Sequence, residues 1–95
     1  MSLNILWTDT AKETFNYILK YLDENWGKKY VHRFINKTES TLKILSNSPF
    51  IFKTVLENPK VRKGILHKNS SFLYRIIDDR IELLVFWDTR QEPFM

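Results

Sequence analysis

The stretch Val61–Pro93, VRKGILHKNSSFLYRIIDDRIELLVFWDTRQEP, decides the fold. It holds three runs rich in Ile, Leu, Val, Phe and Tyr, parted by Lys68-Asn69-Ser70-Ser71 and Ile77-Asp78-Asp79-Arg80. Asn and Asp tolerate turn backbone and bond their own main chain, so both breaks read as tight hairpin turns. The pattern predicts an antiparallel meander with strands over 61–68, 71–77 and 80–88. With Asp78-Asp79 as a turn, Ile76 opposes Ile81, Tyr74 opposes Leu83, and Arg75 opposes Glu82 as a favourable cross-strand charge pair. With Asn69-Ser70 as the other turn, Leu66 opposes Leu73 and Gly64 opposes Arg75. Arg62 then shares a face with Arg75. Trp87, in phase with Ile81, Leu83 and Val85, reads as core.

Upstream of the meander the chain reads as a helical layer. Leu3, Ile5 and Trp7 alternate with Asn4 and Leu6, which predicts a first strand over 3–7. Thr8 and Thr10 both suit a helix cap, and Thr10 with Glu13 makes a capping box. A helix over 9–25 then places Ala11, Phe15, Ile18, Leu19 and Leu22 in one stripe, with Tyr17 and Tyr21 beside it. Asn25-Trp26-Gly27 breaks the pattern. A second helix over 28–47 turns Val31, Phe34, Ile35, Thr38, Leu42 and Leu45 inward, and Ser46-Asn47-Ser48-Pro49 stops it. So short a link makes the two helices an antiparallel hairpin. Phe50–Lys60 is ambiguous, apolar enough to dock on the core or on a partner. The expected class is α+β, a single domain over 1–95: a small antiparallel sheet in the order β-α-α-β-β-β, packed against the helical hairpin.

Composition narrows the chemistry. The 43% hydrophobic and 15% aromatic content of the 95 residues suffices for one core without crosslinks. There is no Cys, which removes disulfides and thiol chemistry, and His32 and His67 are the only histidines, so neither a metal nor a cofactor is expected. No run reaches the ~18 apolar residues of a membrane span, so a soluble cytoplasmic protein is expected, with no membrane partner. The net charge of +4 is mild, but its placement is uneven. Gly27–Lys37 carries Lys28, Lys29, Arg33 and Lys37 without an acid, and Lys60–Lys68 carries Lys60, Arg62, Lys63 and Lys68 without one. Such patches suit an acidic partner, whether nucleic acid or protein, or are ordinary solvated surface.

The order of elements, the Ile5-Leu6-Trp7-Thr8-Asp9-Thr10-Ala11 start, the Trp26-Gly27 break, Arg62 with Leu73-Tyr74-Arg75-Ile76, and the closing Asp88-Thr89-Arg90-Gln91-Glu92-Pro93 resemble the RelE/ParE superfamily of bacterial type II toxins. The resemblance spans nearly the whole chain. It implies a growth-inhibiting toxin neutralised by a cognate antitoxin that wraps it, as a homodimer or a toxin–antitoxin heterotetramer. RelE-like members are ribosome-dependent mRNA endoribonucleases, whereas ParE-like members inhibit DNA gyrase. The RelE-like branch places two lysines on the strand that here offers Arg62 and Gly64. It has an arginine near Ser71, a basic residue at Arg90, and a C-terminal proton-transfer group where this chain has Phe94-Met95. These departures bring the chain closer to the ParE-like branch.

Arg62, Lys63, Arg75 and Arg90 are therefore candidates for target or phosphate contact, and Tyr17, Tyr21 and Trp26 for the partner interface. Against this, Arg75 has Glu82 to pair with, Arg90 has Asp88, and a strand-end His67 or an off-stripe aromatic is often only exposed surface. Three functions stay open: a gyrase-binding toxin without chemistry, an mRNA endoribonuclease using an atypical basic set of Arg62, Lys63, His67, Lys68 and Arg90, and an inactive relative.

Overall fold

The computed structural model describes residues 2–91. The elements are β1 (Asn4–Trp7), α1 (Asp9–Asn25), α2 (Lys28–Asn47), β2 (Thr54–Val55), β3 (Asn58–His67), β4 (Ser70–Ile77) and β5 (Arg80–Asp88), with a 3-10 turn over Thr89–Gln91. They form an α+β fold in which one five-stranded sheet, ordered β1-β5-β4-β3-β2, carries the helical hairpin on one face. No helix among the described residues is long and apolar enough to cross a membrane.

The sheet is mixed rather than wholly antiparallel, because β1 lies parallel to β5. The cause is β2, within the stretch whose sequence is ambiguous. It pairs antiparallel with β3 and adds one more reversal of the chain between β1 and β5. That extra reversal turns β5 to run the same way as β1.

Thr8, not Thr10, caps α1. Its Oγ1 accepts the Ala11 N–H at 3.2 Å and donates to the Leu83 carbonyl at 2.7 Å, so the cap also fastens the helix to the sheet. Thr10 and Glu13 lie inside the helix, so the capping box does not form. Trp26 and Gly27 join the helices, and Gly27 does so at φ 98°, a conformation other residues adopt with strain. Its N–H closes on the Leu22 carbonyl and its own carbonyl starts α2.

The β4–β5 register agrees with the sequence: Arg75 opposes Glu82, Ile76 opposes Ile81 and Tyr74 opposes Leu83. Beyond Leu83 a bulge at Leu84 moves β5 by one residue, so that Phe86 opposes Phe72. A shift of one residue exchanges faces. Phe86 therefore enters the core, stacking on Trp7 and Phe72 at 5.1 and 5.2 Å between ring centroids. Trp87 goes to the far face, under the Lys63 ammonium. Its expected place in the core is thus corrected.

The β3–β4 register also differs. The turn residues are Lys68 and Asn69, and a further irregularity lies between Ile65 and His67, so that Gly64 opposes Phe72 and Arg62 opposes Tyr74. This places Arg62 on the opposite face from Arg75. The core that results is aromatic at its centre, with Phe72, Tyr74, Phe34 and Phe86 buried among Ile18, Leu22, Leu45, Leu66, Ile81 and Leu83. Burial raises the Tyr74 phenol above its ordinary range, and its hydroxyl donates to the Pro49 carbonyl at 2.9 Å.

Candidate functional site

At one end of the sheet, a small cleft lies between α2 and the β3–β4 turn. Tyr30, Arg33, Phe34 and Lys37 come from α2, Leu66, His67 and Ser70 from the turn and its strands, and Arg90 from the segment after β5. Positions 30, 33, 34 and 37 fall on one helical face by their spacing. The irregularity in β3 lets two successive residues, Leu66 and His67, both border the cleft. Its volume is about 100 Å³, room for a phosphate-sized group rather than for a drug-sized ligand, whose pockets span roughly 300–1,000 Å³.

The cleft is built on Asp88, which is buried. Its carboxylate accepts from the Ser70 hydroxyl at 2.6 Å, from the Arg90 N–H at 2.8 Å, and from Arg90 Nε and Nη2 at 3.0 and 2.6 Å. Burial alone would raise its pKa. The hydrogen bonds from Arg90 and Ser70 outweigh that and hold the carboxyl below its usual range. The same contact raises the Arg90 guanidinium further. The Tyr21 hydroxyl donates to the Arg90 carbonyl, and the Thr89 N–H donates to the Asn69 carbonyl at 2.7 Å, so the 3-10 turn is tied to both α1 and the β3–β4 turn.

Arg33 and Lys37 have no carboxylate partner within 4.0 Å among the described residues, so the cleft carries uncompensated positive charge. The Arg33 guanidinium lies 5.6 Å from the Tyr30 ring centroid. His67 Nδ1 accepts the Asn69 N–H at 3.2 Å, which in the neutral imidazole leaves the proton on Nε2. Two cations without a carboxylate partner, Arg33 and Lys37, beside an imidazole can bind a phosphate and move a proton.

No protein-family model matches the sequence. No curated protein matches it either. Solved structures do. A chain of the chromosomal ParDE toxin–antitoxin system from P. aeruginosa has a TM-score of 0.76 at 18% identity, over 92% of this chain and 96% of that one. A chain of the toxin–antitoxin complex RelBE2 from Mycobacterium tuberculosis gives 0.67 at 15%, over 93% and 99%. A chain of the E. coli DinJ–YafQ toxin–antitoxin complex gives 0.69 at 10%, over 96% and 97%. The chain has the RelE/ParE-like fold. At these identities the likeness concerns the fold, and it extends to ParE-, RelE- and YafQ-containing systems alike.

Within that fold the candidate residues separate. His67 and Arg90 meet at the cleft, and Lys68 stays outside it on the turn. Arg62 is spent on its own chain, donating from Nη1 to the Phe52 carbonyl at 2.7 Å, with its guanidinium 5.0 Å from the Phe50 ring centroid. Gly64 is covered by the Phe72 ring, and Ser71 is buried against its neighbours. Lys63 lies over Trp87 on the far face of the sheet. Arg75 bonds Glu82 at 2.9 Å and, with Arg62, borders a second groove that also includes Phe50, Lys60 and Ile76.

Among the proposed interface aromatics, Tyr17 and Trp26 are exposed, whereas Tyr21 is half-buried with its hydroxyl engaged inside the chain. Phe94 and Met95 lie outside the described residues. Sequence reasoning missed Tyr30 and Asp88 as parts of the site. It saw Arg33 and Lys37 only as members of a basic run.

Proposed function

We propose that this protein is the toxin of a type II toxin–antitoxin module, held inactive by a cognate antitoxin, and that it acts on ribosome-bound mRNA through the cleft between α2 and the β3–β4 turn. The observation that carries this reading is the meeting of His67 with Arg33, Lys37 and Arg90 around a phosphate-sized space. Metal-independent cleavage needs the ribose 2′-hydroxyl to lose its proton to a base as it attacks the adjacent phosphorus, the gathering phosphate charge to be neutralised, and the 5′ oxygen to leave with a proton. Arg33 and Lys37 are placed to neutralise the phosphate. Arg90, held by Asp88, sets the wall of the cleft. His67, charged by a second proton from solvent that displaces the Asn69 contact, would give its Nε2 proton to the leaving 5′ oxygen, while water takes the proton of the attacking 2′-hydroxyl.

A second reading is a ParE-like toxin that binds DNA gyrase without chemistry. It is supported by the positions at which RelE-like members carry lysines: here Arg62 is bonded to the Phe52 carbonyl and Gly64 lies under Phe72. The exposed Tyr17 is the candidate antitoxin contact in either reading. A ribosome-dependent mRNA cleavage assay, run beside a gyrase supercoiling assay on one preparation, separates the two. Cut mRNA with intact supercoiling supports the first reading. Lost supercoiling with intact mRNA replaces it by the second.

A further inference from the structure

The basic cleft has an approach. Trp26 and Tyr30 stand at the start of α2 with ring centroids 5.2 Å apart and planes tilted by 52°. Arg33 follows over the Tyr30 ring, and Lys37 continues the same helical face into the cleft. Trp26 is 46% exposed, and Arg33 and Lys37 are exposed as well. The chain carries no acid from Gly27 to Thr38. The nearby Asp23 is already paired with Lys28 at 3.1 Å, and Glu39 lies beyond Lys37.

We infer that Trp26, Tyr30, Arg33 and Lys37 form a track for single-stranded RNA, on which bases stack upon Trp26 and Tyr30 while Arg33 and Lys37 hold the backbone phosphates and lead the strand to His67. The two aromatic rings side by side give a stacking platform that tolerates any base, and the two cations supply the phosphate contacts that every single strand presents. From position 30 to 37 the helix rises about 10 Å, the length of a few nucleotides. A duplex keeps its bases stacked inward and cannot use the rings, so the track favours single strands. An acidic protein segment would also meet the cations, but it has less use for the aromatic pair with a guanidinium layered on it.

The inference deepens the mRNA reading and names how that substrate is held, yet its test does not depend on cleavage. Binding of a labelled single-stranded ten-nucleotide uridine RNA is followed by fluorescence anisotropy at low and moderate salt. A double-stranded RNA of the same length is the comparison. Parent protein, Trp26→Ala, Arg33→Gln with Lys37→Gln and, as a control on the exposed far end of α2, Lys43→Gln are compared, all checked for folding by circular dichroism.

The single strand should bind more tightly than the duplex. Trp26→Ala should weaken it about tenfold. The double Gln variant should lower the salt slope by roughly 0.7 per cation removed. Lys43→Gln should bind as the parent does. Equal binding by the track variants and the parent, or preference for the duplex, overturns the track. So does loss of antitoxin binding in the track variants with RNA binding intact, since that marks a protein interface. Track-dependent binding without any mRNA cleavage by the parent upholds the track and sinks the cleavage reading. Cleavage with track-independent binding does the reverse.

Discussion

The Phe72 ring occupies the space over Gly64, its directly opposed partner on the neighbouring strand. A Cβ at position 64 would collide with Cζ and both Cε atoms of the ring, and Phe72 has no room to withdraw, being fully buried against Phe86 and Tyr74. Gly64→Ala should therefore destabilise the protein by about 1–3 kcal/mol, the usual cost of forcing extra volume into a packed core. Gly64→Lys, with a longer side chain, should cost more. Urea unfolding followed by far-ultraviolet dichroism measures both. A Gly64→Ala midpoint equal to the parent's would mean that the Phe72 ring is free to move.

Asp88 makes the stability of the cleft pH-dependent. Its carboxyl titrates below the ordinary range in the folded protein, held there against burial by Arg90 and Ser70. A depressed folded pKa gives stability that is complete above the unfolded value, about 3.9, and is lost as pH falls through the folded value. Asp88→Asn should lack this acid-dependent part. At neutral pH it should also cost about 1–3 kcal/mol, because Arg90 loses its carboxylate. Denaturant midpoints between pH 7 and pH 2 for both proteins check this, and parallel curves would remove Asp88 as the cause.

What the sequence made legible follows from how locally each feature is encoded. The helices and the β4–β5 turn rest on periodicity and on Asp78-Asp79, both local signals, and Arg75 meets Glu82 as the pairing requires. The faces of Trp87 and Arg62 depend instead on irregularities at Leu84 and between Ile65 and His67, which alternation alone does not reveal. One unpaired residue reverses every inference beyond it. The candidate site suffered most, because it is assembled from α2, the β3–β4 turn and the tail of β5. A basic run on α2 carries no sign of which strand end it will meet. Asp88 looked like a partner for Arg90, and it is one, but nothing nearby in sequence announced Ser70 as the second donor.

Arg62 is the residue on which sequence and structure part most clearly. Bound to the Phe52 carbonyl and lying over Phe50, it fastens the segment between α2 and β2 to β3. Arg62→Met keeps the stem and removes both contacts. It should lower stability by about 1–2 kcal/mol. mRNA cleavage per folded molecule should not change. A large loss of cleavage with stability intact would return Arg62 to the site.

His67 tests the chemistry itself. In its neutral form His67 accepts the Asn69 N–H at Nδ1 and carries its proton on Nε2, and a second proton from solvent makes it an acid, at the border of a cleft that also holds Arg33, Lys37 and Arg90. A positioned general acid typically contributes about 10²–10⁴ in rate, and His67→Gln should reduce ribosome-dependent cleavage by that order. The side chain is exposed and its hydrogen bond lies within the turn, so stability should stay within about 0.5 kcal/mol of the parent. Antitoxin binding, measured by calorimetry on the same variant, should be unaltered, which separates a lost proton donor from a disturbed surface. If the variant cuts mRNA at the parent rate, the imidazole is not the acid, and the cleft binds phosphate without reacting with it.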